Sequence, residues 1–161
     1  MSFIAIAPSN QASAPAAGLI INDGWFPDIR LADMREAARI DGTVTDARLT
    51  AALVDAILSV NLALHAWKAQ HLAAQYADLL SVPAPSIQGE SQYLAHYRRA
   101  VYSTAKADLL EKYRDFDSTG QAQSDKKAIE WLAAAPEQER RNAHWAIANI
   151  LQRPHMTVEL I

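Results

Sequence analysis

Apolar residues recur at helical spacing along most of this 161-residue chain. The clearest stretch starts at Thr43-Val44-Thr45-Asp46 and continues to about Ala74. Leu49, Leu53, Ala56, Ile57, Val60, Leu64 and Trp67 fall on one face of it. Val54, Leu58 and Leu62 make a second stripe, so this helix is expected to have neighbours on two sides and to be the central helix of the domain. Upstream, Phe26-Pro27-Asp28 reads as a helix start, with Asp28 capping free backbone N–H groups, the helix running to about Ile40 and Gly42 ending it. Downstream, Ser91 caps a long helix predicted from Gln92 to Phe116. Its apolar positions, Tyr93, Tyr97, Ala100, Val101, Ala105, Leu109, Tyr113 and Phe116, drift around the helix, so its two ends are expected to pack on different partners. Another helix opens at Asp125, with Ile129, Leu132 and Ala133 inward, and breaks at Ala135-Pro136. Pro136 suits the first turn of a last helix, with Glu137 and Glu139 at its positive end. That helix carries Ala143, Ile147, Ile150 and Leu151 and stops before Pro154.

The segments between and beyond these helices have a different texture. A short helical turn is predicted at Tyr76 to Leu80, and Val82 to Gly89 is a connector, since Val82 precedes Pro83 and favours extended backbone. Residues 1–24 are rich in Ala, Ser, Pro and Gly and read as an arm, either flexible or ordered only when it docks. Phe3-Ile4-Ala5-Ile6-Ala7 and Leu19-Ile20-Ile21 are short apolar runs within it that suit strands. The tail His155-Met156-Thr157-Val158-Glu159-Leu160-Ile161 alternates polar and apolar residues, which is a strand signal. A lone strand needs a partner, either the N-terminal apolar run or the edge of another subunit. The expected architecture is mainly α: a helical bundle around a long central helix, with an extended N-terminal arm and a short C-terminal β-strand. The expected divisions are an arm over residues 1–24, a helical domain over 25–153 and a tail over 154–161.

Charge narrows the function classes. Fifteen Lys and Arg against eighteen Asp and Glu give a net charge of −3, which argues against the basic footprint of a non-specific DNA binder. The basic doublets Arg98-Arg99, Lys126-Lys127 and Arg140-Arg141 stand apart and read as solvated faces, with partner contact as the alternative. The absence of cysteine removes disulfides, thiolate zinc sites and cysteine nucleophiles together. Phe3 to Ala7 is too short for a signal peptide and lacks its basic flank. Asp55, Asn61 and His65 interrupt the apolar stretch from Ala51 to Trp67, so a buried helix is expected there and no membrane span.

The search for chemistry comes out bare. None of His65, His71, His96, His144 and His155 stands in a metal-ligand spacing, and His65 and His71, six apart, do not share a helix face. Asp108 and Lys112 form an i,i+4 pair of the sort found on solvated faces. There is no phosphate-binding glycine loop and no nucleophile elbow. Trp67, Trp131 and Trp145 lie on predicted helices as core residues, while Trp25, just outside the first helix, is placed to anchor the arm. From the residues alone the chain reads as a soluble α-helical domain with extended termini and no visible catalytic, cofactor-binding or metal-binding residues, and such a chain is more often an assembly component than an enzyme. The alternatives are a small helical DNA-binding packaging protein, similar to a terminase small subunit, and a small helical enzyme whose site forms only on folding.

One ordered series of residues goes further. It comprises Phe26-Pro27-Asp28-Ile29, Arg48-Leu49, Asn61, Leu79 or Leu80, Val82-Pro83-Ala84, Ile87, Gly89-Glu90-Ser91, the block from Tyr97 to Asp117, Lys126-Lys127-Ala128, Trp145-Ala146, Ile150 and Pro154. In order and interval the series resembles the head completion (head stabilisation) protein family, the L proteins of temperate contractile-tailed phages. The resemblance covers about Phe26 to Ile161, and the first 24 residues offer little to compare. It implies a structural virion protein, a head-tail connector in the neck that passes through the host cytoplasm during assembly. Such a protein binds beneath the portal after DNA packaging, retains the genome and offers the tail its attachment surface. The implied partners are copies of itself in a dodecameric ring, the portal protein and a tail-completion or tail-terminator protein. Packaged DNA passes through without specific binding. On this reading His155, Met156, Thr157, Val158, Glu159, Leu160 and Ile161 are the main partner-contact segment, joined by Phe3, Ile4 and Ile6 of the arm.

Overall fold

The computed structural model describes residues 18–117 and 136–155, and within them the chain is mainly helical. Strand β1 (Leu19–Ile20) pairs antiparallel with β2 (Ile29–Arg30), Leu19 opposite Arg30. The expected boundary at residue 24 falls inside this hairpin. Helix α1 (Leu31–Ala38) follows β2 at once and has no side-chain cap at its start. Instead the Leu31 N–H donates to the carbonyl of Gly18, the residue before β1, at 2.8 Å, and this takes over the capping expected of Asp28. Asp28 accepts from the Asn22 N–H at 2.8 Å. Helix α1 also ends before Gly42: Arg39 takes the left-handed conformation, φ 54°, and Ile40 N–H closes on the Arg35 carbonyl at 2.9 Å.

Thr45 caps α2 (Asp46–Ala63), its hydroxyl accepting from Arg48 N–H at 3.4 Å. The single helix expected to reach Ala74 is broken at Leu64. Helix α3 (His65–Ala73) leaves α2 at 61°. The bend keeps Leu64 fully buried and swings the Trp67 ring to 5.8 Å from Trp25 and 5.2 Å from Tyr93. Burial of a large indole outweighs the loss of helical continuity there. The second stripe is left largely to solvent: Val54, Leu58 and Leu62 are 39, 64 and 78% exposed. The expectation of neighbours on both sides of this helix is therefore corrected. Its buried face meets α1, α3 and the later long helix. No single described helix is long and apolar enough to cross a membrane.

A 3-10 turn at Leu79–Ser81 is closed by Asp78 and Ser81, each bonding the other's backbone. The connector after it holds a hairpin the sequence pattern does not announce, β3 (Ser86–Ile87) with β4 (Glu90–Ser91). Gln88 and Gly89 both have positive φ, 54° and 79°, as a two-residue turn of this hand requires. Helix α4 (Gln92–Asp117) follows, with the Ser91 hydroxyl accepting from Tyr93 N–H at 3.3 Å as expected. Helix α5 (Pro136–Ile150) begins with Pro136 and carries Glu137 and Glu139 in its first turn. Helix α4 packs against α1, α2 and α5. It runs antiparallel to α2, since Tyr97 meets Asn61 while Tyr113 lies beside Arg48. Met34, Leu49, Leu53, Tyr97, Leu109, Leu110 and Ile150 are sealed in the core between these helices. The helix predicted from Asp125, with Ile129, Trp131, Leu132 and Ala133, lies outside the described residues, as do Phe3 to Ala7 and Met156 to Ile161.

Arg39 is exposed and holds a conformation that L side chains enter at a cost. Arg39→Gly is expected to raise stability by about 0.5–1 kcal/mol, read as a higher urea midpoint at unchanged slope.

Candidate functional site

Three residues far apart in sequence form a closed, partly buried ring of hydrogen bonds between the N-terminal turn, α2 and α4. The Tyr97 hydroxyl donates to Asn61 Oδ1 at 2.7 Å, Asn61 Nδ2 donates to Asn22 Oδ1 at 2.9 Å, and Asn22 Nδ2 donates back to the Tyr97 oxygen at 2.8 Å. Each element contributes one member: α4 gives Tyr97, α2 gives Asn61, and the turn after β1 gives Asn22. The Phe26 ring lies flat on Tyr97, centroids 4.7 Å apart. Burial pushes the Tyr97 phenol well above its ordinary value, with Asp23 nearby adding to the rise.

The turn holds itself in place next to this ring. Asp23 Oδ1 accepts from Trp25 N–H at 3.0 Å and Phe26 N–H at 2.9 Å, and its other oxygen meets Lys68 Nζ of α3 at 2.7 Å. Partial burial works to raise the Asp23 carboxyl, but the Lys68 ammonium and the two backbone donors outweigh it and hold the group below its ordinary value. Trp25 Nε1 donates to the Tyr76 carbonyl at 3.2 Å, and Leu79 N–H donates to the Trp25 carbonyl at 3.0 Å. Trp25 is thus an anchor of the turn itself. The Phe26-Pro27-Asp28-Ile29 series, Asn61 and Tyr97, singled out from the sequence as separate pieces, converge here. Asn22, Asp23 and Lys68 were not singled out. The signal for the first two was the Asn22-Asp23-Gly24 run, a turn composition beside an aromatic pair.

Helix α5 packs on α4 through buried Ala143, Ala146 and Ile150, with polar side chains bridging the edges of the joint. Arg140 meets Glu111 at 2.6 Å and Asp108 at 3.6 Å, Lys106 meets Glu139 at 3.0 Å, and Arg99 donates to Asn142 Oδ1 at 3.3 Å. Arg141 lies over the Trp145 ring and bonds Gln138. Arg98 pairs with Glu90 at 3.2 Å. The doublets Arg98-Arg99 and Arg140-Arg141 are therefore working packing groups as well as surface charge, while Lys126-Lys127 lies outside the described residues. Burial raises Asp108 despite Arg140 and Lys112, and burial with Arg99 and His155 lowers His96. Among the described residues no group of three His, Asp or Glu could hold a metal.

Of the expected partner-contact residues, only His155 is described. It is exposed, its ring stacked on Trp145 at 5.3 Å and its Nε2 2.8 Å from Asn149 Oδ1. Met156, Thr157, Val158, Glu159, Leu160 and Ile161, with Phe3, Ile4 and Ile6, lie outside the described residues. The apolar surface that is described lies elsewhere, on Val54, Leu58 and Leu62 of α2 and at Ile87, 76% exposed, in the β3–β4 hairpin.

Comparison with known proteins covers nearly all of this geometry. The model of the family described as phage head completion protein (GPL) matches residues 20–161. A head completion/stabilization protein of Escherichia phage P2 is 36% identical over 143 residues, spanning 89% of this chain and 83% of that protein. No solved structure matches the chain.

Tyr97→Phe leaves Asn61 Oδ1 without its donor and is expected to cost about 1–3 kcal/mol in denaturant unfolding. Because the folded-state pKa of Tyr97 is raised, its contribution is complete below pH 10.0, the unfolded value, and declines as pH rises beyond it. Asp23 has the opposite sign: its folded pKa is lowered, so its contribution is present above 3.8 and fades as pH falls below. Asp23→Asn should flatten the acid limb of the stability profile, and a limb as steep as that of the parent chain would exclude this role.

Proposed function

We propose, from the premise that this chain belongs to the phage head completion protein family, that it is the connector which closes the filled head and receives the tail. Family membership makes it a structural, virion-associated phage protein. The finer reading is that it binds beneath the portal after DNA packaging, as a homo-oligomeric, dodecameric ring in the neck. There it retains the genome and presents a surface to a tail-completion or tail-terminator protein. The match over residues 20–161 carries this reading.

The fold supports it in two ways. Large side chains on the outer face of α2 and at the hairpin are left in water, a costly arrangement for a chain that works alone and a useful one within an assembly. The charges do not favour gripping DNA: the net charge is −3, and Arg35, Lys68, Arg98, Lys106 and Arg140 are each paired with a carboxylate. DNA can then pass without being held, and a role as a small DNA-binding packaging protein has less to stand on. Arm residues Phe3, Ile4 and Ile6 and the tail from His155 to Ile161 are the proposed partner contacts, because extended segments can pair with a neighbour at assembly.

Electron cryo-microscopy of finished particles tests the placement. Density for this chain as a ring between portal and tail supports it, and finished particles without the chain refute it. Leu58→Lys should change the stability of the isolated chain by no more than about 0.5 kcal/mol, since the residue is exposed, yet lower its incorporation into particles. Removal of residues 156–161 should also lower incorporation, and full incorporation would exclude the tail as a contact.

A further inference from the structure

A groove of about 330 Å³ runs along α4 between α1 and α5, away from the Asn22–Asn61–Tyr97 ring and bordered by the Arg98–Glu90 and Lys106–Glu139 pairs. Its size matches the smaller binding clefts of proteins, about 300–1,000 Å³. Ala95, Arg99, Tyr102 and Ser103 of α4 line it, with Ala37 of α1 and Glu139 of α5 on the two sides. Two features in it are unfinished. Ser103 is the one buried polar residue among those described, 8% exposed, and its hydroxyl has no hydrogen-bond partner among them. Such groups are rare in folded proteins and call for a missing partner. Arg98 and Lys106, also at the groove, are neutralised by Glu90 and Glu139. Arg99 meets only the neutral Asn142 amide, with no carboxylate in reach among the described residues. The groove therefore offers one uncompensated guanidinium, one idle hydroxyl and an apolar strip of Ala37, Ala95 and the Tyr102 ring. Its complement is a short extended segment with one carboxylate between apolar side chains.

We propose that this groove receives residues 156–161 of a neighbouring copy of the same chain, with Glu159 on Arg99, Val158 and Leu160 along Ala37 and Ala95, and tail backbone on the Ser103 hydroxyl. The proposal rests on the ring reading and deepens it. Met156-Thr157-Val158-Glu159-Leu160-Ile161 carries a single carboxylate side chain, Glu159, flanked by Val and Leu. The tail departs from His155, held against Trp145 and Asn149 on α5. Six residues in extended conformation reach about 20 Å from His155. A head-to-tail ring requires two different surfaces on each copy that fit one another, and groove and tail are such a pair.

The chain contains no cysteine, so single thiols can be placed without background. Particles are assembled from an equal mixture of A95C and V158C chains and oxidised. A cross-linked pair at twice the chain mass, absent when either variant is used alone, is the expected result. A doubly substituted A95C/V158C chain that closes only on itself would place the tail in its own groove and overturn the proposal. A charge exchange gives a readout that does not depend on thiol geometry. R99E and E159R should each lower incorporation into particles, and the two together should restore it. Normal incorporation of the parent chain with neither cross-linking nor restoration overturns the groove contact while leaving the connector reading intact. Absence of the parent chain from finished particles overturns the connector reading itself.

Discussion

The buried Tyr97 hydroxyl is the constraint around which the remaining contacts are arranged. A phenol sealed from water must find both a donor and an acceptor inside the protein. It finds them in Asn61 of α2 and Asn22 of the turn after β1, and the three close into a ring. Because each member sits on a different element, the ring fixes the spacing of α2, α4 and the N-terminal turn at once. The aromatic series built outward from it, Phe26 on Tyr97, Trp25 on Phe26 and Trp67 on Trp25, extends that registration to α3. The polar ring specifies which arrangement the apolar contacts adopt, and the apolar contacts supply most of the cohesion.

The same registration explains the surface. Once Asn61 is committed to Tyr97 and Trp67 to Trp25, α2 cannot rotate to hide its other apolar stripe, and Val54, Leu58 and Leu62 remain in water. The bend at Leu64 follows from the same demand, since a straight continuation of α2 would carry Trp67 away from its partners. An outer apolar face that the fold itself does not use is a property expected of a subunit, and the family to which this chain belongs works in an assembled head.

Much of this was legible in the sequence where local chemistry decides. The starts of α4 and α5 follow from Ser91 and Pro136, and the buried face of α2 follows from the spacing of Leu49, Leu53, Ala56, Ile57 and Val60. What was not legible depends on distant partners. Asp28 looks like a helix cap but serves Asn22, because the carbonyl of Gly18, the residue before β1, arrives to cap α1. Two stripes on α2 look like two neighbours, and only the folded chain shows that one is vacant. The β3–β4 hairpin escaped because Gln88, its first left-handed residue, is not a type that marks such a turn. No spacing in the sequence pairs Asn22, Asn61 and Tyr97, since residues so far apart are joined only by tertiary structure. The groove at Ser103 escaped for the same reason: a serine within an apolar helix face carries no mark of lacking a partner.

The joint between α4 and α5 differs in kind from the joint between α4 and α2. Ion pairs from Arg140 and Lys106 and an amide contact from Arg99 ring its edge, around a small apolar strip of Ala143, Ala146 and Ile150. Screening weakens exposed pairs of this kind and leaves buried aromatic packing almost untouched. Ionic strength therefore acts on this joint in parts: added salt loosens the half-exposed Arg140 pairs, while the mostly buried Lys106–Glu139 pair and the apolar strip keep α5 seated on α4.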